Sequence, residues 1–62
     1  MPIISIDLGP ITREKKAQLV QTLTRDASEI TRIPLEKFVV LIREMELDNI
    51  GVGGQLLSER LG

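Results

Sequence analysis

The chain has 62 residues, a net charge of −1, no cysteine, no histidine and a single aromatic side chain, Phe38. This excludes disulfides, thiolate chemistry, the commonest metal ligand and the commonest general base near neutral pH. It also leaves neither a basic footprint nor stacking platforms for nucleic acid. So short a chain is one domain, residues 1–62, yet 42% of it is apolar. A lone chain of this size buries too little surface for comfortable stability. That combination points to oligomerisation. No apolar run approaches the roughly 20 residues of a membrane span. No signal peptide is visible at the start, so the expected location is the cytoplasm.

In chain order, Pro2, Ile4, Ile6 and Leu8 alternate with Ile3, Ser5 and Asp7, which predicts a strand over residues 2–8. Gly9-Pro10 breaks it. Thr12 is a helix cap without the reciprocal glutamate, since Lys15 stands three residues on. From Arg13 to about Thr31, Val20, Leu23, Ala27 and Ile30 recur at helical spacing, and they are the expected core. Lys15 and Lys16 read as part of a solvated helix face. Pro34 biases Ile33 away from helical angles and ends the helix.

Phe38 to Ile42, FVVLI, reads as a strand buried on both faces. Strand, crossover helix and strand make a βαβ unit with parallel strands. Nothing in one copy covers the other face of that sheet. The tail carries glycine at positions 51, 53 and 54, followed by Leu56, Leu57 and Leu61. A C-terminal hairpin that packs on a neighbouring subunit accounts for both features.

Met1-Pro2-Ile3, the strand–helix–strand spacing, Glu44-Met45 and Gly51-Val52-Gly53-Gly54 together resemble the 4-oxalocrotonate tautomerase family over nearly the whole length. Gly9-Pro10 with Asn49-Ile50-Gly51-Val52-Gly53-Gly54 is similar to its archaeal-type, DmpI-like branch. The resemblance implies a small α/β protomer assembled as a homohexamer, a trimer of dimers. It implies Pro2 as general base once Met1 is removed, acting on a small-molecule dienol such as 2-hydroxymuconate. No metal or organic cofactor is implied.

The chemistry suits a terminal proline. A free α-amino group titrates near 7.7–8.0, and an apolar pocket lowers that value toward the working pH. With Met1 in place, the Pro2 nitrogen is an amide and has no basicity. Asp7 or Glu44 would need strong burial to serve instead.

Ile11 stands where the family has a carboxylate-binding arginine, Val39 where it has a second, and Ile50 where an aromatic residue lines the site. Arg13 and Arg43 are the nearest replacements, although Arg43 lies about 13 Å along the strand from Val39. Arg13, Arg43 and Ile50 are therefore the candidate substrate-binding residues. Each has a plainer reading: Arg13 as a solvated helix residue, Arg43 as a salt-bridge partner, Ile50 as packing. Two other functions are compatible with the same residues. One is a hydratase- or dehalogenase-like reaction on an unsaturated acid with Pro2 as acid. The other is a non-catalytic oligomeric module.

Overall fold

A computed structural model describes residues 1–61, and the side chain of Leu61 and all of Gly62 lie outside the description. Strand β1 runs Ile3–Leu8, helix α1 Arg13–Thr31, and strand β2 Val39–Glu44. A 3₁₀ turn at Leu35–Lys37 leads into β2 and another at Leu47–Asn49 follows it. The tail holds β3 (Gly51–Val52), β4 (Gln55–Leu56) and a short helix α2 (Leu57–Leu61). The two 3₁₀ turns and α2 have no counterpart in the sequence reading.

The expected alternation in β1 is present: Ile4, Ile6 and Leu8 are half-buried, and Ile3, Ser5 and Asp7 are exposed. Thr12 caps α1, its hydroxyl accepting from the Lys15 amide at 3.2 Å. The helix ends at Arg32, whose φ of 65° is left-handed and whose amide reaches the Ser28 carbonyl at 2.8 Å. Ser28 Oγ donates to the Ile33 carbonyl at 2.6 Å. These bonds turn the chain just ahead of Pro34, as its ring requires.

β1 and β2 are parallel, with Ile3 opposite Val39 and Leu8 opposite Glu44. One face of this sheet presents Ile4, Ile6, Leu8, Val40, Ile42 and Glu44, and α1 packs against it. The other presents Ile3, Ser5, Asp7, Val39, Leu41 and Arg43. Burial of β2 on both faces, expected from FVVLI, is not met within one chain: Leu41 is 45% exposed. Phe38 lies before the strand rather than in it. The reason is the missing layer, since one crossover helix covers one face. The expected helical core is also corrected. Leu19, Leu23 and Ala27 are half-buried, but Val20 and Ile30 are exposed, Ile30 at 82%. A two-strand sheet is too narrow to cover the whole apolar stripe of the helix.

No described residue is fully buried. The accessible surface is 4924 Å², whereas a compact monomer of this mass exposes about 4,000 Å². The radius of gyration is 15.0 Å, against about 11 Å for a compact chain of this length. The predicted hairpin is present: Val52 pairs with Gln55, and Gly53 (φ 62°) and Gly54 (φ 84°) form the turn. Both turn residues need positive φ, which glycine adopts freely.

One side chain ties the β1–α1 loop to the end of β2. Glu44 accepts from the Ile11 amide at 3.0 Å through Oε2 and from Lys16 Nζ at 2.5 Å through Oε1. The Met45 amide adds a bond to the Leu8 carbonyl at 2.8 Å. Lys16 and the Ile11 amide together hold the Glu44 carboxyl below its ordinary range. A lowered native pKa means that Glu44 contributes stability above its unfolded pKa. That contribution is lost as pH falls through the lowered native value. In urea unfolding at pH 7, Glu44→Ala is therefore less stable than the parent. Glu44→Gln, whose amide oxygen still accepts from Ile11, should lie between them. The gap between parent and Glu44→Gln should close as the pH is taken below the ordinary glutamate range. A gap independent of pH would mean that the ion pair contributes nothing.

Candidate active site

Pro2 sits half-buried at the start of β1, behind Met1, which is 85% exposed. The Pro2 carbonyl accepts from the Val39 amide at 3.0 Å, which extends the β1–β2 ladder by one residue. The backbone that carries the Pro2 nitrogen is thus fixed by the sheet, while Met1 projects into solvent. Removal of Met1 would leave the secondary amine at the end of an ordered strand.

The other candidates lie elsewhere. Arg13 is the first residue of α1 and exposed. It follows the loop beyond Leu8, and Pro2 to Leu8 is about 20 Å along an extended strand. Arg43 is opposite Asp7 on the uncovered sheet face and forms a forked pair with it. Its Nε donates to Oδ1 at 2.7 Å and its Nη2 to Oδ2 at 3.4 Å. The hydrogen bond to Arg43 holds the Asp7 carboxyl below its ordinary value, and the same bond raises Arg43. Ile50 is half-buried after the second 3₁₀ turn; its amide reaches the Leu47 carbonyl and its carbonyl accepts from Leu57. A single chain brings none of these three side chains to Pro2.

The carboxylates also sort by direction. A base near neutral pH needs a raised carboxyl pKa. Asp7 and Glu44 are both lowered, each by a hydrogen bond to a cation. They stay ionised and weakly basic.

Among the described residues, grooves lie at either end of α1, and Pro2 lines neither of them. One, of about 440 Å³, lies at the C-terminal end of α1 between Ser28, Arg32 and Pro34. The other, of about 460 Å³, lies at the opposite end. Leu8 and Ile11 form its loop side, and Lys15, Leu19 and Leu23 its helix side. Its lining is mainly apolar, with Lys15 as the one cation. Lys15 is exposed, as expected of a solvated helix face, and it also borders this groove. The groove itself was not anticipated; its signal is the four-residue recurrence of Ile11, Lys15, Leu19 and Leu23. The part played by Glu44 was missed as well, because its two partners lie 33 and 28 residues away in the chain.

No helix among the described residues is long and apolar enough to cross a membrane. Comparison with known proteins supplies the wider frame. A family model described as tautomerase enzyme matches residues 2–60. A 2-hydroxymuconate tautomerase of Bacillus subtilis is 38% identical over 60 residues, covering 95% of this chain and 97% of that one. The crystal structure of a 4-oxalocrotonate tautomerase homologue superposes with a TM-score of 0.89 at 33% identity, over 100% of both chains. A heterohexamer 4-oxalocrotonate tautomerase from Chloroflexus aurantiacus matches with a TM-score of 0.84 at 28% identity, over 95% of this chain and 97% of that one. Matched over nearly its whole length by the family model and by relatives of its own size, the chain belongs to the tautomerase enzyme family.

Proposed function

We propose that this chain catalyses an enol–keto proton shift on a 2-hydroxymuconate-like dienol or a 2-oxo acid, with the Pro2 nitrogen as general base after removal of Met1. The observation that carries this reading is the position of Pro2, half-buried and anchored through its carbonyl, with only an exposed methionine ahead of it. The carboxylates of Asp7 and Glu44 are held ionised by their own partners and do not compete for the role. The substrate class is supported by the 38% identity to a 2-hydroxymuconate tautomerase.

The step balances without a co-reactant. The neutral amine takes the enol O–H proton, and the O–H pair becomes the carbonyl π bond. The displaced C=C pair then takes a proton from the ammonium at the carbon end. The ring restricts the orientation of the nitrogen lone pair. Two forms test the reading against ketonisation of 2-hydroxymuconate. Pro2→Ala, with Met1 removal verified by mass, should lose about 100-fold or more in rate. A form extended at its N-terminus, in which Pro2 is an amide, should be inactive. Full activity in the extended form would end the reading. An active chain whose Pro2 nitrogen titrates well above the working pH would redirect it to an acid role on an unsaturated acid.

The same reading calls for a second copy of the chain. β1 is bonded to β2 on one edge only, among the described residues. Antiparallel pairing of two β1 edges about a two-fold axis sets the Pro2 end of one copy beside the Leu8 end of the other. It makes one site from two ends that are about 20 Å apart in a single chain. Three such pairs, with their uncovered sheet faces turned inward, make the hexamer. Ile3, Leu41, Val52 and Leu56 are between 40% and 54% exposed, so burying what remains of each is worth about 1 kcal/mol, roughly half the value for a fully exposed side chain. Light scattering should give a mass several times 6.9 kDa, and the melting temperature should rise with protein concentration. Leu41→Lys should split the assembly and remove activity. A monomeric, fully active parent chain would refute the composite site.

A further inference from the structure

We propose that Lys15 is the cation that binds a substrate carboxylate, reaching the Pro2 of a second copy across the groove formed by Leu8, Ile11, Leu19 and Leu23. The inference rests on Pro2 as the base, and it names the group that would hold the substrate's charge.

Three observations converge on this lysine. The first is place: Lys15 lines a mainly apolar groove of about 460 Å³ at the Leu8 end of β1. That is the end which antiparallel pairing sets against Pro2 of another copy. The second is availability. Lys16 is engaged by Glu44, and Arg43 by Asp7. Arg13 and Lys15 are both exposed, but only Lys15 lines the groove. Among the described residues no ion pair occupies Lys15. The third is setting. Charges attract several-fold more strongly beside low-dielectric walls than in open water. A carboxylate with a hydrocarbon tail matches an ammonium group flanked by leucine and isoleucine. Gln18 and Thr22 complete the lining with uncharged hydrogen-bonding groups.

The loop geometry keeps Lys15 on this side. Thr12 caps the helix through the Lys15 amide, and Glu44 holds the Ile11 amide and the Lys16 ammonium. Lys16 is drawn to Glu44, whereas Lys15 is exposed at the rim of the groove. An ammonium is a compact point charge on a flexible stem, whereas a guanidinium is a rigid fork. Lys15 would accept one carboxylate without demanding a fixed plane, which suits monoacids as well as diacids.

The test separates binding from chemistry. cis,cis-Muconate has the two carboxylates of the dienol but no hydroxyl to lose, so calorimetric titration reports binding alone. The parent should bind it in a salt-sensitive manner. Lys15→Met should weaken binding by roughly tenfold or more, and Lys15→Arg should restore most of it. In turnover, Lys15→Met should raise KM far more than it lowers kcat. Equal binding by Lys15→Met and the parent, no binding by the parent, or a larger loss in Arg13→Gln would each overturn the assignment. Failure of the base reading shows separately, as full activity in the N-terminally extended form.

Discussion

A two-stranded parallel sheet has two faces, and one crossover helix covers only one of them. Most features of this protein follow from that shortage. No described side chain is fully buried, the surface is larger than that of a compact chain of equal mass, and Ile3, Leu41, Val52 and Leu56 remain open. The polar contacts do not offset the shortage. Arg43–Asp7 and Lys16–Glu44 are both at least a third exposed, where ion pairs contribute little. The free energy that makes such a chain stable has to come from apolar surface shared between copies.

The same constraint governs the chemistry. β1 separates Pro2 from the β1–α1 loop by its full length, so Pro2 and the loop-side cations of one chain cannot meet on one small substrate. In the proposed pairing of two copies, this separation would become a site with a base from one chain and a charge from the other. Glu44 matters here because it ties the β1–α1 loop and the start of α1 to the end of β2.

The electrostatics follow the same economy of parts. With no histidine in the chain, only a group of unusual pKa or a chain terminus can act as base near neutral pH. The carboxylates of Asp7 and Glu44 are drawn the wrong way by their cationic partners. A terminal secondary amine needs little adjustment by comparison. Lys15 stands apart from the other cations around the loop and β2. It lines an apolar cavity and is bound to no carboxylate among the described residues.

Much of this was legible in the residues. The alternation of β1, the capping of α1 by Thr12, the stop before Pro34 and the hairpin of the glycine-rich tail are local matters. They are set by side-chain period, a hydroxyl next to an amide, and permitted φ, and each was read correctly. Nearly the whole family resemblance was visible too, because short motifs at fixed spacing carry it. The sequence reading was wrong where burial depends on what lies across a gap. It treated Val20, Ile30 and the whole of FVVLI as core, because hydrophobicity shows which residues seek cover and not whether one chain supplies it. It also could not foresee that Glu44 would join Ile11 to Lys16, that Asp7 would be the partner of Arg43, or that Lys15 would border an apolar groove. These pairings are decided by strand register and by the seating of α1 on the sheet, and both are properties of the folded chain.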